Sequence, residues 1–539
     1  MRKSFSYLLM VGCCLVGAAH EVYAGGDDYR QLFRSGYQRI CLHERSGYLD
    51  TKGDTVVPPS YEAVYDFREG ISIVRNGALG AIDSTGREII PIMYENMWNF
   101  NGGICGVRKD GQWGYVDRNN RVVIPVEFDD CFESFMGKAV VCKSGVWGYY
   151  NSDGTPLTEM KYEKAFPFVD SMARVVDDGR YGFIDRSGRE LIAPRYSLAR
   201  DFSEGLAPVF NGRKWGYVDK RGRVAIPFRY DDVRPYRDGS ACVKRAGLWG
   251  YVDRSGRTLL PFVYDDAFEF IGRRALAVVG GQWRYIDPTG AVVGNPDIHY
   301  TTYRGGYNRL CWSDEFDCEG TLDSTIWRHG IKCCGYEAQR PENVWIENDC
   351  MVIESRKERV GGHRYTSACV DTKGGIDFMH GRIEVRAKIP GGIGTWPAIW
   401  MLPVEQFQSN YHWGEIDLLE ALGFNPGMVY TTVHYLVGRI NDRPVRPYSQ
   451  TFFEIDNLYD DFHTYALEWN ENSLDFYFDG VHYYSYKRNF RVPEYWTYDR
   501  PYYLILDSAW GGDAWGGIHG TDDALLPQRM YIQSVRYYK

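Results

Sequence analysis

The feature of this chain that most constrains its fold is a 34-residue repeat that fills residues 41 to 290. Most units pair an aromatic residue with Gly, followed by an aromatic residue, an apolar or aromatic residue, and Asp or Asn. The first two of the eight copies are degenerate. A unit this small cannot bury its apolar face alone, so neighbouring copies must stack. The closing residues of the copies are Asp50, Asp83, Asp117, Asn151, Asp185, Asp219, Asp253 and Asp287.

A 34-residue period is also typical of paired-helix repeats, but the residues within these units favour β-hairpins. In the sixth unit, Asp219-Lys-Arg-Gly-Arg223 places a Gly in a turn between the apolar runs Trp-Gly-Tyr-Val and Val-Ala-Ile-Pro. This is the pattern of two strands joined by a tight turn. Gly and Pro recurring in every unit would break helices. We therefore predict an array of eight 34-residue β-hairpin repeats, coiled as a solenoid or closed as a propeller.

The units resemble the bacterial Trp-Gly (WG) β-repeat family. Their Trp and Tyr residues either form the core between repeats or bind sugar rings, and core is the commoner role of periodic aromatic residues. We expect residues 41–298 to serve as a scaffold or adhesion arm, with a glycan or a cell-surface protein as the candidate partner. The stretch Gly294–Gly306, rich in Gly, Asn and Pro, marks the end of the array.

The N-terminus has the pattern of a secretory signal peptide. Met1-Arg2-Lys3 precede an apolar stretch from Phe5 to Ala19, and small residues end the segment at Ala24. This predicts a signal peptide over residues 1–24 and an exported protein that is periplasmic, at the cell surface or secreted. Cys13 leaves a lipoprotein as a less favoured alternative. The apolar stretch is too short for a membrane span and no other qualifies, so no transmembrane segment is expected.

Length, charge and cysteines narrow the class of protein further. With 539 residues the chain exceeds the size of one hydrophobic core and predicts at least two domains. Its net charge of −9, without a run of Lys and Arg, argues against a nucleic-acid partner. Cysteines cluster between residues 311 and 369, and in an exported protein they are expected to form one or more disulfides.

The second informative feature is the acidic segment Glu415-Ile-Asp-Leu-Leu-Glu420. Glu415 and Asp417 share one face of a β-strand, and a one-residue bulge between Asp417 and Glu420 would bring Glu420 to that face. An amphipathic helix is the alternative, but the turn cluster Gly423–Gly427 and the β-branched, aromatic run Val429–Tyr435 favour a strand. Carboxyls crowded on one face raise the pKa of at least one of them, and glycosidic-bond hydrolysis needs such an acid beside an ionised partner.

Residues 308–539 resemble glycoside hydrolase family 16, whose bulged form carries the acids as Glu-x-Asp-x-x-Glu. The resemblance implies a concanavalin-like β-sandwich of the jelly-roll type, so the whole chain is expected to be all-β. It also implies that Glu415 is the nucleophile, Glu420 the general acid/base and Asp417 the acid that tunes the nucleophile, with no cofactor. The other motifs that carry it are Trp312-Ser-Asp-Glu-Phe-Asp317, Tyr365-Thr-Ser-Ala368, Gly381-Arg-Ile-Glu-Val-Arg386, Gly394-Thr-Trp-Pro-Ala-Ile-Trp-Met-Leu-Pro403, Phe462-His-Thr-Tyr-Ala-Leu-Glu-Trp469 and Pro527-Gln-Arg-Met-Tyr-Ile-Gln-Ser-Val-Arg-Tyr-Tyr538.

Sugar rings stack on aromatic side chains, so aromatic and polar residues at motif positions near the acids are candidates for substrate binding. Trp327 and Trp469 are assigned to the core instead. Relatives commonly have Asn-Leu-Ala at Asp507-Ser508-Ala509, and many have a calcium-binding Asp at Gln533. A neutral Gln is a poorer ligand for a hard cation, so we expect no calcium or a weak site. The substrate-binding candidates are Trp396, Trp400, Trp413, His434, Glu337, Trp510 and Trp515.

Together these features predict a secreted, endo-acting, retaining glycoside hydrolase that cleaves a β-linked glucan by double displacement. A β-1,3-glucan of the laminarin type is favoured over a sulfated galactan, because the strands expected to line the cleft are not basic. A transglycosylase and a galactan-cleaving enzyme of the agar or carrageenan type would carry the same acids, so both remain alternatives. A non-catalytic glycan-binding protein is the third hypothesis, and three facing acids argue against it.

Overall fold

The computed structural model describes residues 37–42, 45–50, 54–294, 306–330, 337–405, 414–435, 438–440, 443–445, 448–488, 490, 496–512 and 515–539. The predicted signal peptide, Trp413 and the pair Cys333-Cys334 lie outside these residues. So does nearly all of Gly294–Gly306, where the predicted domain boundary falls. Within the described ranges, no helix has the length and apolar character that a membrane crossing requires.

The chain is an all-β protein, as predicted. Its described residues form strands β1–β48 with three short 3-10 helices between them, and the strands fall into two architectures. Small sheets repeat up to Gly294, and two large sheets follow from Leu310. The 3-10 helices are Pro341–Asn343, Trp515–Gly517 and Asp523–Leu525.

Eight small antiparallel sheets make up the described part of residues 37–294, one for each predicted copy. Those of the first four copies are β1 (Tyr37–Leu42), β2 (Arg45–Asp50) and β3 (Thr55–Tyr61); β4 (Ala63–Val64), β5 (Ile71–Asn76), β6 (Ala78–Asp83) and β7 (Glu88–Tyr94); β8 (Asn96–Met97), β9 (Ile104–Lys109), β10 (Gln112–Asp117) and β11 (Val122–Phe128); and β12 (Asp130–Cys131), β13 (Lys138–Lys143) and β14 (Val146–Asn151). Those of the last four are β15 (Lys164–Val169), β16 (Met172–Asp177), β17 (Arg180–Asp185) and β18 (Glu190–Tyr196); β19 (Leu198–Ala199), β20 (Leu206–Phe210), β21 (Trp215–Asp219) and β22 (Val224–Tyr230); β23 (Asp232–Val233), β24 (Ser240–Arg245), β25 (Leu248–Asp253) and β26 (Thr258–Tyr264); and β27 (Ala275–Val279), β28 (Gln282–Ile286) and β29 (Val292–Gly294).

Where the closing residue of a unit is Asp, it organises the hairpin turn, as the sixth unit illustrates. Asp219 Oδ1 accepts hydrogen bonds from the backbone N–H groups of Arg221 and Arg223, at 2.9 and 3.0 Å. Gly222 occupies the left-handed region at φ +74°, which Gly adopts without steric cost. Strands β21 and β22 pair across this turn with Tyr217 opposite Ile226, and the register shifts on either side of that pair.

The aromatic residues of the repeats form the core between neighbouring units. The hydroxyl of Tyr217 donates to the carbonyl of Arg234, in the next unit, at 2.8 Å. Tyr115, Tyr149 and Tyr251 each donate in the same way to the carbonyl 17 residues further on. Four tryptophans of the aromatic pairs are also buried, with 2 to 6% exposure at Trp113, Trp215, Trp249 and Trp283, whereas Trp147 is partly exposed. The interpretation of these aromatics as core is therefore confirmed for these positions.

The chain divides into two compact units. One contains the described residues up to Lys143 together with Tyr150–Pro156, and the other contains Ser144–Tyr149 and Leu157–Lys539. The second unit thus includes the last four repeats and all of the C-terminal sheets.

Two large sheets, with two small ones beside them, build the C-terminal part of the second unit. The eight-stranded sheet runs in the order β33-β34-β48-β37-β44-β45-β46, with β30 on β48. Its strands are β30 (Leu310–Asp314), β33 (Val344–Glu347), β34 (Cys350–Ser355), β37 (Gly381–Lys388), β44 (His463–Trp469), β45 (Ser473–Phe478), β46 (Val481–Lys487) and β48 (Gln528–Tyr538).

The seven-stranded sheet runs in the order β31-β36-β47-β38-β39-β40-β43. Its strands are β31 (Arg328–His329), β36 (Cys369–Asp371), β38 (Thr395–Pro403), β39 (Gly414–Ala421), β40 (Met428–Tyr435), β43 (Tyr448–Glu454) and β47 (Tyr502–Trp510). The small sheets pair β32 (Ala338–Gln339) with β35 (Thr366–Ser367), and β41 (Gly438–Ile440) with β42 (Arg443–Val445). This is the predicted jelly-roll sandwich.

The core of the sandwich consists of apolar side chains that alternate with polar ones along the central strands. Ile399 on β38, Ile416 on β39 and Leu467 on β44 are all fully buried. Trp327 and Trp469 are buried as well, which confirms their assignment to the core. Cys369 forms a disulfide, in keeping with the expectation that this group of cysteines contains at least one.

Candidate active site

Strand β39 lies near the middle of the seven-stranded sheet, between β38 and β40. Asp417 pairs with Thr432 of β40, whereas Glu420 pairs with Tyr430, so three steps on β39 correspond to two on β40. The register shifts between Asp417 and Glu420. The predicted bulge is therefore present, and it allows Glu415, Asp417 and Glu420 to lie on one face of the sheet.

His434 on β40 lies beside two of the three acids. Its Nε2 is 3.8 Å from Glu415 Oε1 and 3.2 Å from Asp417 Oδ2. The side chain of Glu415 is 24% exposed, while that of Asp417 is only 3% exposed. Glu415 is thus accessible to a substrate, whereas Asp417 lies beneath the surface of the cleft.

The environment raises the pKa of two of the acids. Burial raises the pKa of Asp417 far above its ordinary value, and the charges of Glu415 and Asp507 raise it further. Burial and the charge of Asp417 also raise the pKa of Glu420 to about 8, although His434 and a hydrogen bond from Trp396 oppose the rise. A carboxyl group with this pKa carries a proton at pH 7 and can donate it.

Both oxygens of Glu420 have hydrogen-bond donors. Trp396 Nε1 donates to Oε1 at 3.2 Å, and Thr432 Oγ1 donates to Oε2 at 3.4 Å. Gln450 Nε2 in turn donates to Thr432 Oγ1 at 2.9 Å. Trp396 is partly exposed, so part of its ring is accessible from solvent, and its part in substrate binding stays a prediction.

Trp400 is also partly exposed, and its Nε1 donates to Asp507 Oδ1 at 2.7 Å. The sequence singled out Asp507 only as a departure from the family pattern. The structure places it within electrostatic range of Asp417, so it belongs to the site. An acid in the otherwise apolar run of β47 is the signal that identifies it.

The remaining substrate-binding candidates fare differently. Trp510 was expected at the rim of the cleft, but it is fully buried and packs edge-on against Tyr365 at 6.3 Å. That prediction is wrong, because Trp510 ends β47 inside the sandwich and does not belong to the Gly-rich loop that follows. Glu337 is 3% exposed, and burial raises its pKa to about 7. Its part in substrate binding stays a prediction, as do those of Trp413 and Trp515, whose side chains lie outside the described ones.

The expectation of no calcium, or of a weak calcium site, can be compared with the donor atoms around Gln533 and the acids. Gln533 accepts a hydrogen bond from Arg386 Nε at 2.9 Å, and a guanidinium here makes the position unfavourable for a calcium ion. One ligand atom each from Glu415, Asp417 and His434 lie within 4.8 Å of one another. Their number and spacing would suit a cation, but the reaction that the acids suggest needs none. Absence of a cofactor remains a prediction.

An accessible carboxylate and a protonated carboxyl group on one face of a jelly-roll sheet define a glycoside hydrolase. Comparison with known proteins is consistent with this class. The model of glycosyl hydrolases family 16 matches residues 337–525. The beta-glucanase of Rhodothermus marinus is 37% identical over 252 residues, which cover 43% of this chain and 85% of that protein. The chain belongs to glycoside hydrolase family 16.

Two further relatives differ in the polysaccharide that their names specify. The glucan endo-1,3-beta-glucosidase of Cryptopygus antarcticus is 31% identical over 228 residues, covering 39% of this chain and 82% of that protein. The keratan-sulfate endo-1,4-beta-galactosidase of Sphingobacterium multivorum is 32% identical over 253 residues, covering 45% of this chain and 58% of that protein.

The model of the WG containing repeat matches seven consecutive units between residues 47 and 283. This confirms the identification of the repeats, with one unit fewer than the eight predicted. The eighth small sheet, β27–β29, extends past the last match, and Arg284 on β28 occupies the position of the characteristic Gly. The number eight therefore describes the sheets and not the family matches.

Proposed function

We propose that this protein is an endo-acting β-1,3-glucan hydrolase that retains the anomeric configuration of its substrate. The observation that carries the proposal is the bulged strand, which presents Glu415 and Glu420 on the same face. In a retaining mechanism the two carboxyl groups lie about 5–5.5 Å apart, a separation suited to two residues of one strand. An inverting mechanism needs about 6.5–9.5 Å, to seat a water molecule between the base and the sugar.

In the first step Glu415 attacks the anomeric carbon while Glu420 gives its proton to the departing glycosidic oxygen. The pKa of about 8 keeps Glu420 protonated for this step. Once the leaving sugar has departed, ionised Glu420 takes a proton from water, which then displaces Glu415 from the sugar. Asp417 lies beside Glu415 and tunes the basicity of the Glu415 carboxylate. His434 lies next to both acids.

The choice of glucan rests on two observations. The relatives include a beta-glucanase and an endo-1,3-beta-glucosidase. In addition, the hydrogen-bond donors to Glu420 and Asp507 include two indoles and a hydroxyl group, which suit an uncharged sugar better than a sulfated one. A galactan is the second candidate, because the keratan-sulfate endo-galactosidase is related at a similar level of identity.

The substrate is tested by incubating the protein with laminarin, lichenan, agarose, carrageenan and xyloglucan and separating the products by chromatography. We expect oligosaccharides of intermediate length from laminarin. Cleavage of agarose or carrageenan alone would favour the galactan candidate. When short oligosaccharides of the cleaved polymer are the substrate, products longer than those oligosaccharides would identify a transglycosylase. Binding without products would leave a glycan-binding protein.

The stereochemistry is tested by proton NMR of the first reducing ends, recorded before mutarotation. Double displacement at Glu415 returns the β-anomer first. An initial α signal would contradict both the mechanism and the roles given to the two glutamates.

Export is part of the proposal and rests on the signal-peptide pattern of residues 1–24. N-terminal sequencing of the protein from a bacterial host is expected to begin at Gly25. A mature protein that begins at Met1 would contradict export, whereas a lipid-modified Cys13 would identify the exported protein as the lipoprotein alternative.

A further inference from the structure

The fifth and sixth repeats contact a segment of the catalytic domain that borders the acids. This segment, residues 515–526, is called the cleft segment here and includes two of the 3-10 helices. Lys164 of the fifth repeat donates from Nζ to the carbonyl of Thr521 at 2.6 Å, across 357 residues of sequence. Arg200 donates from Nε to the carbonyl of Ala524 at 3.3 Å. Ala524 itself is buried in an apolar cluster formed by the repeats.

A buried ion pair lies at the centre of this contact. The guanidinium of Arg174, in the fifth repeat, lies 2.7 Å from Asp522 Oδ2. The side chains of Arg174 and Asp522 are only 4% and 1% exposed. Arg174 also pairs with Asp201 at 2.5 Å and lies over the ring of Phe166. A charge this deeply buried is costly without its partner, so the pair requires the cleft segment and the repeat to stay together.

On its other side the cleft segment supports Trp396. The backbone of Gly516 lies so close that an added Cβ would come within 2.5 Å of Trp396 Cβ. Asp522 N donates to the carbonyl of Ile393 at 2.9 Å, just before strand β38 begins. Trp396 then donates its indole hydrogen to Glu420. Arg174, Asp522, the cleft segment, Trp396 and Glu420 thus form a continuous series of contacts.

We propose that the WG repeats are part of the hydrolytic machinery: Arg174 is a positioning residue that, through Asp522 and the cleft segment, holds Trp396 against the sugar and against Glu420. This inference rests on the proposed function, since it assigns Trp396 to substrate binding and Glu420 to acid catalysis.

A second set of contacts joins the repeats to the catalytic domain. Tyr531 of β48 donates to Asp266 of the eighth repeat at 2.6 Å in a buried position. The Trp283 ring packs edge-on against both Tyr531 and Phe462, at 5.3 and 6.0 Å. The repeats therefore contact the catalytic domain at the eight-stranded sheet as well as at the cleft segment. With two points of contact, they can hold the cleft segment in a fixed position.

The test compares Arg174→Met with Arg189→Met in the full-length protein. Arg189 lies in the same repeat but is 72% exposed and pairs only with nearby Asp185 among its described ion pairs. Arg174→Met leaves Asp522 buried without its cation, so we expect kcat/KM on laminarin oligosaccharides to fall about 10- to 100-fold. Arg189→Met is expected to behave as wild type. Equal kinetics in the two variants would overturn the proposal.

The pH profile distinguishes positioning from a general loss of folded protein. The hydrogen bond from Trp396 lowers the pKa of Glu420, so its loss would raise that pKa. The basic limb of kcat/KM is therefore expected to move to higher pH in Arg174→Met. A lower rate with an unchanged limb would mean that less protein is folded, and would count against positioning.

A double variant tests whether the effect passes through the ion pair. Asp522→Asn keeps an oxygen that can accept from Ala524 N, and it leaves Arg174 paired with Asp201. Arg174→Met with Asp522→Asn removes both charges of the buried pair and leaves without its cation only Asp201, whose side chain is 38% exposed, so most of the lost kcat/KM should return. Additive losses would refute coupling through this pair. Should Arg174→Met fail to fold, Asp522→Asn alone and Lys164→Gln must still shift the basic limb, or the proposal is wrong.

Hydrogen–deuterium exchange separates this proposal from the function on which it rests. Peptides covering residues 515–526 should exchange faster in Arg174→Met than in Arg189→Met, whether or not a substrate is known. Faster exchange in a protein that cleaves no glucan would retain the structural link and refute the proposed function. Unchanged exchange in an active enzyme would refute the link alone.

Discussion

The repeats and the catalytic sheet bury polar groups in opposite ways. In the repeats, Tyr115, Tyr149, Tyr217 and Tyr251 each bury a hydroxyl that donates to a carbonyl 17 residues further on. In the catalytic sheet, Asp417 is 2% exposed, and its closest charged neighbours include two other acids. These four hydroxyl groups are hydrogen-bonded and stabilise the repeats, whereas the sheet gives up stability to raise the pKa of its carboxyl groups.

The largest expected effect is on catalysis and comes from the catalytic sheet, where acids lie beside other acids. Replacing Glu415 by Ala removes the nucleophile, so kcat should fall by more than about 10³-fold. The fold should persist, because the side chain is partly exposed and outside the core. Glu471→Ala, at an exposed position, is the matched control and should retain full activity. Wild-type rates in Glu415→Ala would show that the strand has been misassigned.

The second prediction measures the stability that the site gives up. Folded Glu420 holds its proton up to a pKa of about 8, whereas the unfolded chain releases it near 4.3. The stability contributed by this group is complete below pH 4 and is lost as pH rises to about 8. Glu420→Gln does not titrate, so at pH 8 it should be more stable than wild type by about 1–4 kcal/mol.

Urea unfolding at pH 4 and at pH 8 checks this sign. The difference between Glu420→Gln and wild type should grow with pH. A variant that is less stable than wild type at pH 8 would mean that the carboxyl group is ionised and well paired in the folded protein.

The third prediction concerns the close packing of the repeats. A Cβ added to Gly216 would lie 2.7 Å from the carbonyl oxygen of Ile226, and backbone on the paired strand cannot easily move away. Gly216→Ala should therefore cost about 1–3 kcal/mol of unfolding free energy. Gly306→Ala is the control, because nothing lies within 4 Å of its Cβ. Equal melting temperatures for the two variants would show that the paired strands are not tightly packed.

The smallest expected effect tests the satisfied hydroxyl groups. Tyr217→Phe leaves the Arg234 carbonyl without its donor and should cost about 1 kcal/mol. Thermal unfolding monitored by circular dichroism can resolve this loss, and kcat should not change. A more stable Phe variant would mean that the repeats, like the catalytic sheet, bury these hydroxyl groups at a net cost.

The sequence predicted the parts of this protein that are encoded locally. The hairpins follow from Gly and Asp at a fixed period, and the bulge follows from the odd spacing between Glu415 and Glu420. The burial of Trp510 could not be predicted in this way, because the last residue of a strand and the first of a loop look alike in sequence. The contact between Arg174 and Asp522 leaves no local pattern at all, since it joins residues from different domains.

The bulge between Asp417 and Glu420 also determines how the catalytic strand can change in evolution. Loss of the codon for Leu418 would leave Glu-Ile-Asp-Leu-Glu, a regular strand in which alternate positions still place all three acids on one face. Loss of the codon for Ile416 would instead make the first two acids adjacent and send them to opposite faces. Because of the bulge, one in-frame deletion in this strand keeps Glu415, Asp417 and Glu420 on the same face, whereas a deletion two codons away separates them.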